Sequence, residues 1–250
     1  MTQLVVEGVS AHFAVRGSGD KTLFLIHGAG GNSLHWMETE PPPGWRLVAP
    51  DLPGHGKSGG SAMKDITDYA RWVGTAIKEL GGCDLLAGHS MGGAITMTVA
   101  LQQPELLRGI ILVGTGAKLG VSDILLDLCR GGAVAKIEDM LAKVAYGPVP
   151  GWEQIKEWYR IFGSATPQAY LRDFSACNHF DIRLQLKAIR LPALIVCGKA
   201  DRLTPFKYSE YLAEHLEDAR LEGIPDAGHM VMLEQPEHFN RILADFCAQY

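Results

Sequence analysis

Short apolar runs recur along this chain with helical patterns between them, and that alternation limits the fold more than any other feature. Residues 22–26, 47–49, 84–87, 110–113 and 193–197 form such runs, and 220–224 is a weaker one. Continuous apolar runs of this length suit strands buried on both faces, as in a parallel sheet. Residues 3–6 and 9–15 read as two further strands turned at Glu7-Gly8. Helical spacing marks residues 66–80, 91–103, 208–216 and 236–246, and Pro104 stops the second of these. Strands alternating with helices predict right-handed crossovers and a mostly parallel sheet, an α/β fold. A chain of 250 residues fits one such domain.

One stretch breaks the rhythm. Residues 115–190 hold no convincing strand and are too many for a bare loop in a compact domain. Ile137, Met140, Leu141 and Val144 fall at helical spacing. Gly147-Pro148-Val149-Pro150-Gly151 interrupts the chain. Trp152, Ile155, Tyr159 and Phe162 then form a second stripe. Thr166-Pro167 is a helix start leading to Tyr170, Leu171 and Phe174. This segment is expected to be a helical cap inserted into a core of residues 1–114 and 191–250.

Chemistry concentrates at Gly88-His89-Ser90-Met91-Gly92. The apolar Leu85-Leu86-Ala87 precedes it and a helical pattern follows, the context expected of a nucleophile elbow. So sharp a turn crowds its neighbours, which glycines at 88 and 92 relieve. The following helix start offers free N–H groups beside the serine oxygen. A serine hydroxyl needs a base, and His229 follows the last strand candidate. Asp201, just past the run at 193–197, is the candidate orienting acid, with Asp226 as a rival expected to shape the His229 loop instead. The remaining histidines His12, His35, His179, His215 and His238 read as surface or packing residues.

The glycine-rich turn His27-Gly28-Ala29-Gly30-Gly31 can aim backbone N–H groups at a developing oxyanion. Ala29 and Met91 are the expected donors, each worth ~3 kcal/mol. His27, Gly28, Trp152, Trp158, Tyr159, Phe162, Phe174 and Met230 are candidates for the pocket wall. A second glycine cluster, Gly54-His55-Gly56-Lys57-Ser58-Gly59, matches G-x-G-x-x-G and the end of a P-loop. The P-loop's first glycine would fall at Asp51, and no helix opens after Gly59, so both nucleotide readings fail.

The net charge of −5 argues against a nucleic-acid partner. Five scattered cysteines without a Cys-x-x-Cys pair fit a reducing compartment. No basic leader with an apolar core opens the chain, and no run approaches the ~20 apolar residues of a membrane helix. A cytoplasmic protein is expected, with no membrane partner; the oligomeric state is left open.

These motifs resemble the α/β-hydrolase superfamily, in particular its small capped esterases. The resemblance rests on His27-Gly28-Ala29-Gly30, on residues 51–58, on Gly88 through Gly93, on Gly198 through Asp201 to Pro205, and on Gly228-His229, in the family's order. It implies an eight-stranded, mostly parallel sheet, no metal and no cofactor. It also implies that Ser90 attacks an acyl carbon, His229 moves the proton and Asp201 holds the imidazole. Serine at the elbow argues against the family's haloalkane dehalogenases and epoxide hydrolases, which use aspartate. Carbon–carbon bond hydrolases acting on ring-fission products usually show a Gly-Pro-Gly loop where this chain has Gly-Ala-Gly-Gly.

The first reading is therefore a carboxylesterase acting on small or medium acyl esters. The alternatives are a carbon–carbon bond hydrolase or a lactonase, and a binding protein that kept the fold without turnover. A histidine base predicts a rate that falls in acid. A flat rate between about pH 5 and pH 8 would contradict it.

Overall fold

The computed structural model describes residues 2–148, 150–163 and 165–250. Strands β1 (Thr2–Val6), β2 (Val9–Arg16), β3 (Lys21–Ile26), β4 (Trp45–Pro50), β5 (Leu85–His89), β6 (Gly109–Val113), β7 (Ala193–Gly198) and β8 (Ala219–Ile224) form one eight-stranded sheet. Its order is β1-β2-β4-β3-β5-β6-β7-β8. The two pairings made by β2 are antiparallel and all others are parallel. Each strand expected from the sequence is present. The apolar runs mark only buried spans, so β4 begins two residues earlier, at Trp45, and β5 ends two later, at His89.

Side-chain alternation splits each central strand between two cores. On β3, Phe24 and Ile26 join the core under α1 (Ile66–Glu79) and α2 (Met91–Gln102), with Tyr69, Trp72, Val73 and Ile95. Leu23 and Leu25 face the other core. Each large apolar side chain buried this way stabilises the fold by ~1.5–3 kcal/mol. Helix α1 starts at Asp65, whose carboxylate accepts Asp68 N–H. Helix α2 is buried over its first ten residues, Met91 to Ala100, because it runs beneath the sheet centre.

Between β6 and β7 lie α3 (Asp123–Arg130), α4 (Val134–Val144), α5 (Trp152–Phe162) and α6 (Pro167–His179). The sequence stripes mark the last three. Helix α3 went unread because its eight residues show too few turns to establish a period. Thr166 caps α6 by accepting Ala169 N–H, with Pro167 in the first turn. Val149, in the proline-rich interruption, and Met1, at the chain start, lie outside the described residues. The ends of the insertion meet: Ile182 N–H donates to Ala117 O at 2.8 Å, beside an antiparallel bridge between Lys118 and Asp181. The chain closes with α7 (Lys207–His215), the short α8 (Val231–Glu234) and α9 (Pro236–Cys247). Phe239, Ile242, Leu243 and Phe246 of α9 fill the second core.

No helix among the described residues is long and apolar enough to cross a membrane.

The contact between α2 and the sheet is the tightest constraint. A Cβ on Gly92 would overlap the carbonyl oxygen of Ile26. Gly92→Ala is expected to lower stability by ~1–3 kcal/mol through overpacking. Gly151→Ala, where a Cβ meets nothing within 4 Å, is expected to change it by less than ~0.5 kcal/mol. Paired thermal melts check the contrast.

Candidate active site

Ser90 sits at the junction of β5 and α2 with φ +54° and ψ −116°, a left-handed backbone that a non-glycine residue adopts only under constraint. Its N–H donates to Val113 O at 2.9 Å. Its carbonyl accepts Gly93 N–H at 2.9 Å and the Thr115 hydroxyl at 2.8 Å. The backbone is thus held on both sides, while Ser90 Oγ makes no protein hydrogen bond among the described residues.

Asp201 follows β7, and His229 follows β8. His229 Nδ1 donates to Asp201 Oδ2 at 2.8 Å. Asp201 Oδ1 accepts N–H groups from Leu203 and Thr204, both at 2.8 Å. Thr204 Oγ1 donates to Asp201 Oδ2 at 2.8 Å and lies 3.1 Å from His229 Nδ1. Burial alone would lift the Asp201 pKa. The His229 attraction and the bonds from His229 and Thr204 outweigh it and hold the carboxyl below its usual range. With Nδ1 committed to Asp201, His229 Nε2 is the nitrogen left for a reacting group. Asp226, the rival acid, is exposed in its turn at φ +56°.

Ser90 and His229 line the same cavity of about 370 Å³, within the range of small-molecule sites. Of the expected wall residues, Gly28, Tyr159, Phe162, Phe174 and Met230 line it, as does Ala29. His27, Trp152 and Trp158 do not. His27 is fully buried behind the loop; its Nδ1 donates to Gly28 O at 2.8 Å and its Nε2 accepts Leu52 N–H at 3.0 Å. Trp152 is 48% exposed. Trp158 is buried instead against Tyr146, with ring centroids 5.4 Å apart. The Ala29 and Met91 N–H groups have no acceptor among the described residues; Ala29 lines the cavity, whereas Met91 is fully buried and is not among its lining residues.

Sequence reasoning missed several residues. His35 and His89 line the cavity. His89 Nε2 donates to His229 O at 3.0 Å, and its ring packs 4.6 Å from that of His229. Burial, then the neighbouring histidines, push His35 down to about 3 and His89 well below its ordinary value. Glu234 is buried and accepts N–H groups from Gly147 at 2.7 Å, Gly228 at 2.9 Å and Met230 at 3.0 Å. His229 N–H in turn donates to Ala145 O at 2.6 Å. The α4–α5 connection and the His229 loop are therefore one bonded unit. Only Thr204, three residues after Asp201, lay where an Asx-type turn could have suggested it.

Within the nucleotide-like segment 54–59, Gly54 N–H donates to Gly59 O, Ser58 N–H to His55 O and Lys57 N–H to Asp51 Oδ2. These amides are already used inside the turn, so it offers no phosphate cradle.

The Alpha/beta hydrolase family profile matches residues 23–241. The chain belongs to this family of hydrolases. It is 28% identical over 241 residues to a pimeloyl-[acyl-carrier protein] methyl ester esterase of Neisseria meningitidis, covering 90% of this chain and 93% of that one. It is likewise 28% identical to a 2-hydroxy-6-oxo-6-phenylhexa-2,4-dienoate hydrolase of Comamonas testosteroni over the full length of both. A thermophilic esterase structure superposes with a TM-score of 0.84 at 30% identity, covering 99% and 97% of the two chains.

A carboxyl whose pKa is lowered by folding stabilises the protein above the ordinary carboxylate range. That contribution is lost as pH falls through the folded-state pKa. Wild type is therefore expected to exceed Asp201→Asn in stability at neutral pH, with the gap narrowing below about pH 4. Denaturant titrations of both proteins across that range check the sign.

Proposed function

We propose that this protein is a carboxylic ester hydrolase working through an acyl-enzyme, with residues 115–190 as a cap over the site. The observation that carries this reading is the strained Ser90 in an apolar cavity shared with the hydrogen-bonded His229–Asp201 pair. Ser90 Oγ attacks the acyl carbon while His229 Nε2 takes its proton. The carbonyl electron pair moves onto oxygen, which the Ala29 and Met91 N–H groups stabilise. The pair returns, the carbon–alkoxide bond breaks, and His229 gives its proton to the leaving alcohol. Water then repeats the sequence on the acyl-enzyme and frees the acid. Asp201 keeps Nδ1 protonated and stabilises the imidazolium.

The wall suits an apolar acyl or alcohol group. Leu119, Val121, Leu125, Met140, Leu141 and Val144 contribute to it, and esterases stand among the similar proteins. Five free cysteines support work in a reducing compartment such as the cytoplasm. Similarity to a dienoate hydrolase over both full lengths supports carbon–carbon bond hydrolysis as the second reading.

p-Nitrophenyl acetate and butyrate should be turned over, with Ser90→Ala slower by at least ~10³-fold. A fluorophosphonate should label Ser90. Equal turnover by wild type and Ser90→Ala would remove the serine mechanism. Folded protein that is never labelled would favour a binding role. Turnover of a ring-fission dienoate far above that of simple esters would favour the second reading.

A further inference from the structure

Helix α6 carries Tyr170 and Asp173 at i and i+3, on one side of the helix. That side meets the 28–31 loop. Asp173 is fully buried. Its Oδ2 accepts Gly30 N–H at 2.8 Å and His55 Nε2 at 2.8 Å, and its Oδ1 accepts the Tyr69 hydroxyl at 2.6 Å. Gly30 has φ +65°, and a Cβ there would overlap the Tyr170 ring. Only glycine allows this approach.

The charges on the pair follow from geometry. His55 Nδ1 lies 3.1 Å from Pro53 O and Nε2 lies against the carboxylate. Both neighbours are acceptors, so the imidazolium, with two N–H donors, satisfies both. Burial alone would push His55 down and Asp173 up. Their mutual attraction and hydrogen bond outweigh burial and reverse both directions.

Such a pair could serve only as a staple between α6 and the core. The bond to Gly30 distinguishes it. Gly30 N–H belongs to the peptide that begins at Ala29, and Ala29 N–H is the assigned oxyanion donor. Fixing the Ala29–Gly30 peptide plane restricts the backbone that aims that donor.

We propose that Asp173 is a positioning residue for catalysis, reaching from α6 to fix the oxyanion donor at Ala29 through its bond to Gly30 N–H. This rests on the ester-hydrolase reading and its oxyanion assignment. Positioning of this kind acts where charge develops on the carbonyl oxygen. Its loss should therefore reduce kcat and leave KM nearly unchanged.

The test combines p-nitrophenyl butyrate kinetics, fluorophosphonate titration of active sites and inhibition by an alkyl trifluoromethyl ketone. The ketone carbon accepts Ser90 Oγ, and the resulting oxyanion occupies the same hole. Asp173→Ala is expected to lower kcat per titrated site ~10- to 100-fold, with KM within about threefold and ketone affinity weakened in proportion to kcat. Asp173→Asn keeps an acceptor for Gly30 N–H and should recover part of the loss. An Asp173→Ala protein with fewer titratable sites but unchanged kcat per site would reduce Asp173 to a staple and overturn the inference. If Asp173→Ala does not fold, Asp173→Leu decides, since it fills the same space but offers Gly30 N–H no acceptor. A loss of kcat per titrated site with ketone affinity weakened in proportion supports the inference, and unchanged kcat per site overturns it. Wild type that neither labels nor hydrolyses the ester would instead sink the ester-hydrolase reading beneath it.

Discussion

The close approach of α2 to the sheet sets the geometry on which the rest of the site depends. Gly88 and Gly92 let the strand and helix backbones nearly touch, and Gly93 accommodates Thr115. The chain must reverse from strand to helix within one residue, and Ser90 takes the strained φ of +54° that results. The bonds to Val113 O and from Thr115 hold it there. This strained turn sets the Ser90 side chain at the cavity and leaves Met91 N–H without an acceptor among the described residues. One steric constraint thus places the two groups that the proposed mechanism uses as attacking hydroxyl and oxyanion donor.

The same logic explains how much could be read in advance. Strands and the elbow were legible because burial on both faces demands unbroken apolar runs, and a tight reversal demands glycine. Ser90, Asp201 and His229 follow strands, where the topology converges. The cavity wall was harder. Helical spacing in α5 identifies an apolar stripe without saying what the stripe meets. Tyr159 and Phe162 reach the cavity, Trp158 packs on Tyr146, and Trp152 stays largely in solvent. His35 comes from a single 3-10 turn, Ser33–Trp36, too short to have a period. Asp173 lies between Arg172 and Phe174 in a helix where a charged residue ordinarily faces water. Its partners His55, Tyr69 and Gly30 are more than 100 residues away in sequence.

Among the long-range bonds that join the helices between β6 and β7 to the core, two sets reach the loops of the candidate site. Asp173 ties α6 to the 28–31 loop. Glu234 and Ala145 O tie the α4–α5 connection to the His229 loop. Residues 115–190 are thus bonded on one side to the glycine turn and on the other to the His229 loop. A displacement of either helix segment must disturb a loop of the candidate site as well as the pocket wall, because buried N–H groups would otherwise lose their acceptors.

Five of the nine histidines form a continuous row of rings, from His55 through His27, His35 and His89 to His229. In the proposed mechanism His229 becomes a cation during attack, so the charges of the row decide whether it helps or opposes that step. Burial first, and then like-charge repulsion, keep His27 down to about 4, His35 to about 3 and His89 well below its ordinary value. All three are therefore neutral near pH 7, and none repels a cation on His229. The charged member, His55, lies at the far end and shares its charge with Asp173, while Asp201 faces the cation at the near end. The neutral rings between the two carboxylates therefore place no further positive charge beside His229.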